Sequence, residues 1–280
     1  MKGIQNVTIV GAGTMGHSLA QVFAQSGYKV RLNDVQEEIL SKAKGMIAAN
    51  LQTLVELGFL EQKDAAATLS RILTTSRIEE AGRDADFVIE AIIEDQNAKK
   101  EIFKTLDRIC PDPAILASNT SYLDIFKFVE TRRPDKVLIT HWFAPPHIVP
   151  LVEIVHGPQT SSETIQAIKA LLIKVGKMPI VIFKISSRIC CQSDIDKATK
   201  TSFGLRMPIV GLVKRFDFAG LDLSQKVLRN PSTRDSRAKQ GAAFANRFSW
   251  DRRLLEEDKK SFRGHPHDQH ESRRSHCEAL

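Results

Sequence analysis

The 280-residue sequence contains few cysteines, and their spacing suits neither a metal site nor a disulfide framework. The four are Cys110, Cys190, Cys191 and Cys277, and no two of them form a C-x-x-C motif. The adjacent pair is a poor candidate for a disulfide, so the simplest interpretation is a reducing compartment. We therefore expect a cytoplasmic location and no metal ligands.

Long apolar runs are also absent from the sequence. No apolar stretch approaches the ~18 residues that a membrane-spanning helix needs. The apolar run near the amino terminus is only long enough for one strand, which is too short for a secretory signal. We expect neither a membrane span nor a membrane partner. Hydrophobic residues still make up 42% of the chain, which supports a buried core.

Positive charge is in excess, but most of that excess lies in one segment. The formal net charge is +7 at pH 7, and residues 224–280 contribute +5 of it. That segment is rich in Arg, Ser and His and has little apolar periodicity, which predicts a divergent basic tail, disordered or derived from a decayed coding end. Because the rest of the chain is nearly neutral, composition gives no reason to expect a nucleic-acid partner.

The most informative segment is a glycine-rich turn between a predicted strand and a predicted helix. An apolar strand over residues 7–10 leads into Gly11-Ala12-Gly13-Thr14-Met15-Gly16. Gly11 permits a tight turn, Gly13 lets a pyrophosphate approach the backbone, and Gly16 lets the helix pack against the strand. This order of elements is typical of a dinucleotide-binding fold.

The same segment predicts NAD as the cofactor. The first turn of the helix, around Thr14 and Met15, presents N–H groups to the phosphates. Asp34 follows the second predicted strand and can accept hydrogen bonds from the ribose hydroxyls. Its charge would repel a 2′-phosphate, which favours NAD over NADP. A glycine-rich turn that binds no ligand is the alternative, and the combination of strand, helix and spaced acid disfavours it.

Strand and helix patterns alternate along the first two thirds of the chain. After Asp34, helices are predicted over residues 37–57, 62–69, 98–109, 123–129 and 162–175, and strands over 72–75, 86–93, 114–117, 137–140, 151–155 and 178–183. The alternation predicts an α/β fold with a Rossmann-type, doubly wound, mostly parallel sheet over residues 1–184. Ligands in such sheets bind at the carboxyl ends of the strands.

Three polar clusters follow predicted strands. They are Glu94 with Lys99, the segment Ser118-Asn119-Thr120-Ser121, and His141 with Glu153. Glu153 lies within an otherwise apolar strand and needs a partner, because burying an unpaired charge is costly. The Pro-rich link after His141 could bring its strand beside that of Glu153.

A histidine–carboxylate pair near a nicotinamide has a direct chemical use. The imidazole takes a hydroxyl proton while hydride leaves the carbon, and the carboxylate fixes the tautomer and stabilises the imidazolium. Each cluster also has a structural alternative. His141 could be a structural strand-end histidine, the serine-rich segment a helix N-cap, and Glu94 with Lys99 a surface pair of little energetic value.

Taken together, these motifs resemble those of the 3-hydroxyacyl-CoA dehydrogenase family. The resemblance implies reversible NAD-dependent oxidation of an L-3-hydroxyacyl-CoA of short chain, such as 3-hydroxybutyryl-CoA, to the 3-ketoacyl-CoA. It implies that His141 is the catalytic base and Glu153 its carboxylate partner. It further implies that Ser121 contacts the reacting oxygen and that Asn119 contributes to substrate binding. Cofactor contacts are implied for the glycine turn and for Asp34, Glu94 and Lys99.

The sequence departs from the family pattern in two places. Ala144 stands where the family has an asparagine, and about twenty residues of the family pattern are missing after residue 184. The family's second domain is helical and forms its dimer, so we expect residues 185–223 to be an incomplete α-helical domain and the chain to form a homodimer. Two alternatives stay open: a dehydrogenase of a CoA-free hydroxy acid, and an NAD-binding protein with impaired catalysis.

Overall fold

The computed structural model describes residues 3–182, in which strands and helices alternate along the chain. The strands are β1 (Asn6–Val10), β2 (Lys29–Asn33), β3 (Ile72–Thr75), β4 (Phe87–Glu90), β5 (Ile115–Ser118), β6 (Val137–Trp142), β7 (Leu151–His156) and β8 (Met178–Ile182). The helices are α1 (Gly16–Gln25), α2 (Glu37–Glu56), α3 (Gln62–Ser70), α4 (Ile78–Gly82), α5 (Gln96–Ile109) and α6 (Ser162–Lys174).

All of these strands belong to one sheet, in the order β3-β2-β1-β4-β5-β6-β7-β8. Neighbouring strands are parallel except for β6 and β7, which are antiparallel. The chain begins at β1 inside the sheet, runs outward to β3, and then returns to β4 and proceeds outward to β8. The predicted doubly wound, mostly parallel sheet is therefore confirmed, and the direction of winding changes between β1 and β4.

Both faces of the sheet are covered, because neighbouring residues of a strand point to opposite faces. In β1, Val7 and Ile9 pack in one apolar cluster with Phe23 of α1. Val10 belongs to a second cluster, which contains Phe103 of α5. Burial on both faces explains why the central strands are nearly continuous apolar runs in the sequence.

Two predicted elements differ from the structure. The helix expected over residues 123–129 is wrong: that segment contains only a short 3-10 turn, Ile125–Lys127. The strand expected over residues 86–93 ends at Glu90, where the Ile92 N–H turns back to donate to the Glu90 carboxylate at 2.9 Å. At Glu90 the side chain takes a backbone hydrogen bond that a longer strand would otherwise use.

The expected helical domain over residues 185–223 and the expected tail over residues 224–280 lie outside the described residues. Within residues 3–182, no helix combines the length and the apolar character needed to cross a membrane.

Candidate functional site

The glycine turn joins β1 to α1 at the point where the direction of winding changes. Gly11 has a positive φ of 98°, and its N–H donates to the Asn33 carbonyl at 2.7 Å. A Cβ at Gly11 would lie 2.6 Å from the Ala91 carbonyl oxygen, and a Cβ at Gly16 would lie 1.7 Å from the Gly11 carbonyl oxygen. No larger residue fits either position, so these two glycines are needed for the turn itself.

Gly13 differs from the other two glycines of the motif because open space lies beside it. A Cβ built there would meet no atom within 4 Å. The turn leads into α1, whose N-cap residue Met15 provides no side-chain hydrogen bond to the first turn. An open backbone beside an uncapped helix N-terminus fits a pyrophosphate, which such N–H groups and the helix dipole attract.

Asp34 lies at the end of β2 and is oriented by the glycine turn. Its Oδ2 accepts a hydrogen bond from the Ala12 N–H at 2.9 Å, and its Oδ1 accepts one from the Gln36 N–H at 3.1 Å. The side chain is partly exposed, so its remaining acceptor capacity is open to a ligand. This position, beside the turn at the carboxyl end of the sheet, suits a contact with a ribose.

Lys99 lies in the first turn of α5 and is buried. Its side chain is 1% exposed, and its Nζ lies 2.6 Å from Oε1 of Glu90 and 3.1 Å from Oε2 of Glu94. The alternative of a surface Glu94–Lys99 pair is therefore wrong. Glu90 also accepts a hydrogen bond from the Ser118 hydroxyl at 2.6 Å. Burial raises the pKa of the Glu90 carboxyl, and the Lys99 ammonium opposes that rise.

Sequence reasoning overlooked Glu90, although a signal for it was present. Like Glu153, it is a carboxylate inside an apolar strand, and such a residue needs a partner. Its partners are Ser118 of β5 and Lys99 of α5, so Glu90 connects β4 to both elements.

Glu94 organises the segment that follows β5. One of its carboxylate oxygens accepts hydrogen bonds from the Thr120 hydroxyl and, at 2.8 Å, from the Ser121 N–H. The side chain of Ser121 is exposed. Asn119 uses its Oδ1 to accept a hydrogen bond from the Trp142 N–H at 2.9 Å, which connects the end of β5 to the end of β6. The segment is thus held by specific bonds rather than by a regular helix.

His141 and Glu153 lie opposite each other in the antiparallel pair of β6 and β7. Nδ1 of His141 lies 2.8 Å from Oε2 of Glu153, and their side chains are 18% and 20% exposed. The imidazole ring also contacts the ring of Phe143, with 4.7 Å between ring centroids. No group among residues 3–182 bonds Nε2 of His141, so that nitrogen is available to a substrate.

The predicted site residues therefore meet at one edge of the sheet, since β1, β2, β4, β5 and β6 are parallel there. The glycine turn and Asp34 follow β1 and β2, Glu94 and Lys99 follow β4, and Asn119 and Ser121 follow β5. His141 lies near the end of β6, next to Glu153. A turn suited to a dinucleotide, a polar segment and a partly exposed imidazole at one edge suit alcohol oxidation.

Comparison with known proteins agrees with this geometry. The family model described as "3-hydroxyacyl-CoA dehydrogenase, NAD binding domain" matches residues 6–185, which is more than half of the chain. The chain belongs to the 3-hydroxyacyl-CoA dehydrogenase family. The matched segment is the family's NAD-binding domain and coincides with the sheet, which confirms the resemblance inferred from the motifs and the expectation of NAD as cofactor.

Individual relatives give the extent of this similarity. A 3-hydroxybutyryl-CoA dehydrogenase of Clostridioides difficile is 37% identical over 175 residues, covering 62% of this chain and 62% of that enzyme. A 5-formyl-3-hydroxy-2-methylpyridine 4-carboxylate 5-dehydrogenase of Mesorhizobium japonicum is 27% identical over 246 residues, covering 80% and 79%. A solved (S)-3-hydroxybutyryl-CoA dehydrogenase from Ralstonia eutropha matches with a TM-score of 0.69 and 29% identity, covering 87% and 95%.

The match is partial for several relatives. The chain spans about three fifths of the length of the Clostridioides enzyme, 62%. It spans 25% of a longer peroxisomal fatty acid beta-oxidation multifunctional protein of Arabidopsis thaliana.

Proposed function

We propose that this chain is an NAD-dependent dehydrogenase that oxidises a short-chain L-3-hydroxyacyl-CoA, such as 3-hydroxybutyryl-CoA, to the 3-ketoacyl-CoA. The observation that carries the proposal is the contact of 2.8 Å between His141 and Glu153 at the same sheet edge as the glycine turn. A general base is useful only beside the group that removes the hydride, and a shared sheet edge supports that arrangement.

His141 acts as the base in this proposal. When NAD is bound along the glycine turn, its nicotinamide supplies the acceptor for the hydride. Nε2 of His141 takes the proton of the substrate hydroxyl, and the ring becomes an imidazolium. In the reverse direction the same nitrogen returns the proton to the alcohol.

Glu153 prepares His141 for that role. Its carboxylate accepts a hydrogen bond from Nδ1–H, which leaves the lone pair of neutral His141 on Nε2. The carboxylate also stabilises the positive charge that forms on the ring. The ring of Phe143 restricts rotation of the imidazole from the other side.

The remaining site residues position the ligands. The Ser121 hydroxyl donates to the reacting oxygen, and Glu94 fixes the backbone at that position. Asn119 holds the β5 segment against β6 and lines the substrate side. Gly11, Gly13, Thr14, Met15 and Gly16 receive the pyrophosphate, Asp34 binds the adenosine ribose, and Glu94 with Lys99 lies along the cofactor.

The experiment is a turnover assay on the purified full-length chain. NADH oxidation is followed with acetoacetyl-CoA and, separately, with acetoacetate at the same concentration. The proposal expects turnover with the CoA thioester and at least about tenfold less with the free acid. A folded protein that binds NADH but oxidises it with neither compound would instead support the impaired NAD-binding protein.

A dehydrogenase of a CoA-free hydroxy acid is the second candidate. It is favoured by the similarity to the Mesorhizobium 5-dehydrogenase, whose named substrate carries no CoA, and by Ala144, whose side chain cannot donate a hydrogen bond to a substrate carbonyl. Turnover of small hydroxy acids together with failure on acetoacetyl-CoA would select this candidate.

We also infer the assembly and the location of the chain. The family resemblance implies a homodimer, and the cysteine content predicts the cytoplasm. Sedimentation of the full-length chain at several concentrations would test the dimer, and a monomer at all of them would contradict it.

A further inference from the structure

Ser118 and Thr120 are buried residues at the end of β5 that the proposed function leaves without a role. Ser118 is 0% exposed and Thr120 is 3% exposed. The Thr120 hydroxyl donates a hydrogen bond to Oε1 of Glu94, and the Thr120 N–H donates to the Ser118 hydroxyl oxygen at 3.2 Å. The Ser118 hydroxyl in turn donates to Oε2 of Glu90 at 2.6 Å. These two residues therefore join the carboxylates of Glu90 and Glu94.

Lys99 closes these contacts into a network. Its Nζ contacts the remaining oxygen of each carboxylate, Oε1 of Glu90 at 2.6 Å and Oε2 of Glu94 at 3.1 Å. The carboxylate network therefore consists of Glu90, Lys99, Glu94, Thr120 and Ser118, each in contact with the next. A donor meets an acceptor at each of these contacts. Such a buried polar network holds its side chains in one arrangement.

The carboxylate network ends at the backbone of Ser121, whose side chain is exposed. Oε1 of Glu94, the oxygen that accepts from the Thr120 hydroxyl, also accepts from the Ser121 N–H at 2.8 Å and from the Tyr122 N–H at 3.4 Å. The Thr120 hydroxyl thus orients this oxygen, and the oxygen fixes the backbone that carries the Ser121 hydroxyl.

A helix N-cap, the structural alternative for this segment, does not account for these contacts. The Thr120 hydroxyl oxygen does accept a hydrogen bond from the Leu123 N–H at 2.9 Å, as an N-cap side chain would. The regular element that follows is only the 3-10 turn Ile125–Lys127, so there is no helix here for Thr120 to cap. The bond to Glu94 needs a different explanation.

We propose that Thr120 and Ser118 are positioning residues, which act through Glu94 to hold the Ser121 hydroxyl at the reacting oxygen of the substrate. A donor placed beside that oxygen stabilises the charge that develops on it in the transition state. A displacement of about 1 Å costs about 10²-fold in rate, so the position of the donor matters as much as its presence. The inference rests on the role that the proposed function gives to Ser121.

The change Thr120→Val tests the proposal, because it removes the hydroxyl and keeps the shape of the side chain. We expect kcat for NADH oxidation with acetoacetyl-CoA to fall about 10- to 100-fold and KM to change by less than about threefold. Thr120→Ser keeps a hydroxyl and should recover most of the rate.

Thr131→Val is the matched control and should keep the kcat of the wild-type protein. The Thr131 hydroxyl also donates to a carboxylate, that of Asp107 at 2.7 Å, and its oxygen also accepts a backbone N–H, that of Arg133 at 3.1 Å. Thr131 lies before β6, away from the end of that strand where His141 lies. An equal loss of kcat in Thr131→Val and Thr120→Val would overturn the proposal.

Ser121→Ala separates positioning from a general loss of stability. If Thr120 acts through Ser121, then Thr120→Val should lower kcat by less than about twofold once residue 121 is alanine. Losses that multiply in the double variant would overturn the proposal, as would an unchanged kcat in Thr120→Val. Ser118→Ala opens the network at a second contact and should lower kcat with the same dependence on Ser121, so it serves as the test if Thr120→Val does not fold.

Hydrogen–deuterium exchange tests the positioning without any turnover. The amides of residues 119–125 should exchange about tenfold faster in Thr120→Val than in the wild-type protein, and at the wild-type rate in Thr131→Val. A wild-type chain without turnover would contradict the proposed function. In that case faster exchange would still support the positioning of Ser121 by Thr120, and unchanged exchange would overturn it. An active chain in which Thr120→Val changes neither kcat nor exchange would keep the proposed function and remove this inference.

Discussion

Two base–carboxylate pairs lie at the carboxyl edge of the same sheet and differ chiefly in their exposure. His141 and Glu153 are 2.8 Å apart, and Lys99 and Glu90 are 2.6 Å apart. The first pair is 18% and 20% exposed, whereas the second is 1% and 0% exposed. Similar chemistry at similar distances therefore exists in two different environments.

This difference in exposure indicates that the two pairs have different roles. An accessible imidazole can meet a substrate and exchange a proton with it, so His141 suits catalysis. A fully buried ammonium cannot reach a substrate without losing its partners, so Lys99 suits the fixing of β4, β5 and α5 around the site. Breaking the His141–Glu153 pair should mainly reduce turnover, whereas breaking the Lys99–Glu90 pair should mainly reduce stability.

The largest effect is expected from His141→Gln. Turnover with acetoacetyl-CoA should fall about 10²- to 10⁴-fold, because the proposed general base is lost. The urea midpoint of unfolding should stay close to that of the wild-type protein, since the side chain is partly exposed. His156→Gln, at the other end of the β6–β7 pair, is the matched control and should retain activity. Equal losses of turnover in His141→Gln and His156→Gln would contradict the proposed role of His141 as the base.

The second effect concerns stability. Lys99→Met leaves Glu90 buried without its counter-charge, and breaking such a pair costs about 3–5 kcal/mol of unfolding free energy. Urea denaturation measures this loss. The neighbouring change Lys100→Met removes only an exposed pair with Glu130 and should leave the urea midpoint unchanged. Combining Lys99→Met with Glu90→Gln should recover part of the loss, because no charge is then stranded.

Lys177 extends the comparison to a buried lysine for which residues 3–182 provide no carboxylate partner. Its Nζ donates to the carbonyls of Pro146 and Val149, and burial lowers its pKa from the ordinary 10.5 to about 8. Between these values the unfolded chain holds a proton that the folded protein has released. The unfolding free energy should therefore rise with pH over this interval, by on the order of 2 kcal/mol.

The change Lys177→Met tests that expectation. This variant should lack the rise in stability between about pH 8 and about pH 10.5, although it also loses two hydrogen bonds at every pH. Urea midpoints at several pH values measure the difference. Lys174→Met, which removes an exposed lysine from α6, should keep the rise. A parallel pH dependence in Lys177→Met and the wild-type protein would show that Lys177 keeps its ordinary pKa when folded.

The fold was predictable from the sequence where the signal was periodic. Apolar strands separated by helices indicated the doubly wound sheet, and the glycine turn indicated a dinucleotide-binding fold. The helix expected over residues 123–129 could not be excluded in this way. The Leu123 N–H donates to the Thr120 hydroxyl, and Glu94 binds the Ser121 N–H just before this segment. The Glu94 contact joins residues far apart in sequence and leaves no periodic trace.

The candidate site was predictable to a similar degree. A carboxylate in an apolar strand signalled a partner for Glu153, and the structure places His141 beside it. The same signal at Glu90 was overlooked, because that strand also matched a buried parallel strand. The contact of 3.1 Å between the Ser18 hydroxyl and Nδ1 of His147 had no sequence signal, since it depends on how α1 meets the loop after β6.

The smallest expected effect on binding comes from the glycine turn. Open space lies beside Gly13, whereas Gly16 has a backbone carbonyl close to it. Gly13→Ala should leave the unfolding free energy nearly unchanged, because its Cβ meets no protein atom, and should weaken NADH binding about tenfold by occupying the space for the pyrophosphate. Gly16→Ala should destabilise the fold, because its Cβ would lie 1.7 Å from the Gly11 carbonyl oxygen. NADH titration and urea denaturation of both variants measure the two effects. If Gly13→Ala bound NADH as tightly as the wild-type protein, the open side of Gly13 would not be where the pyrophosphate lies.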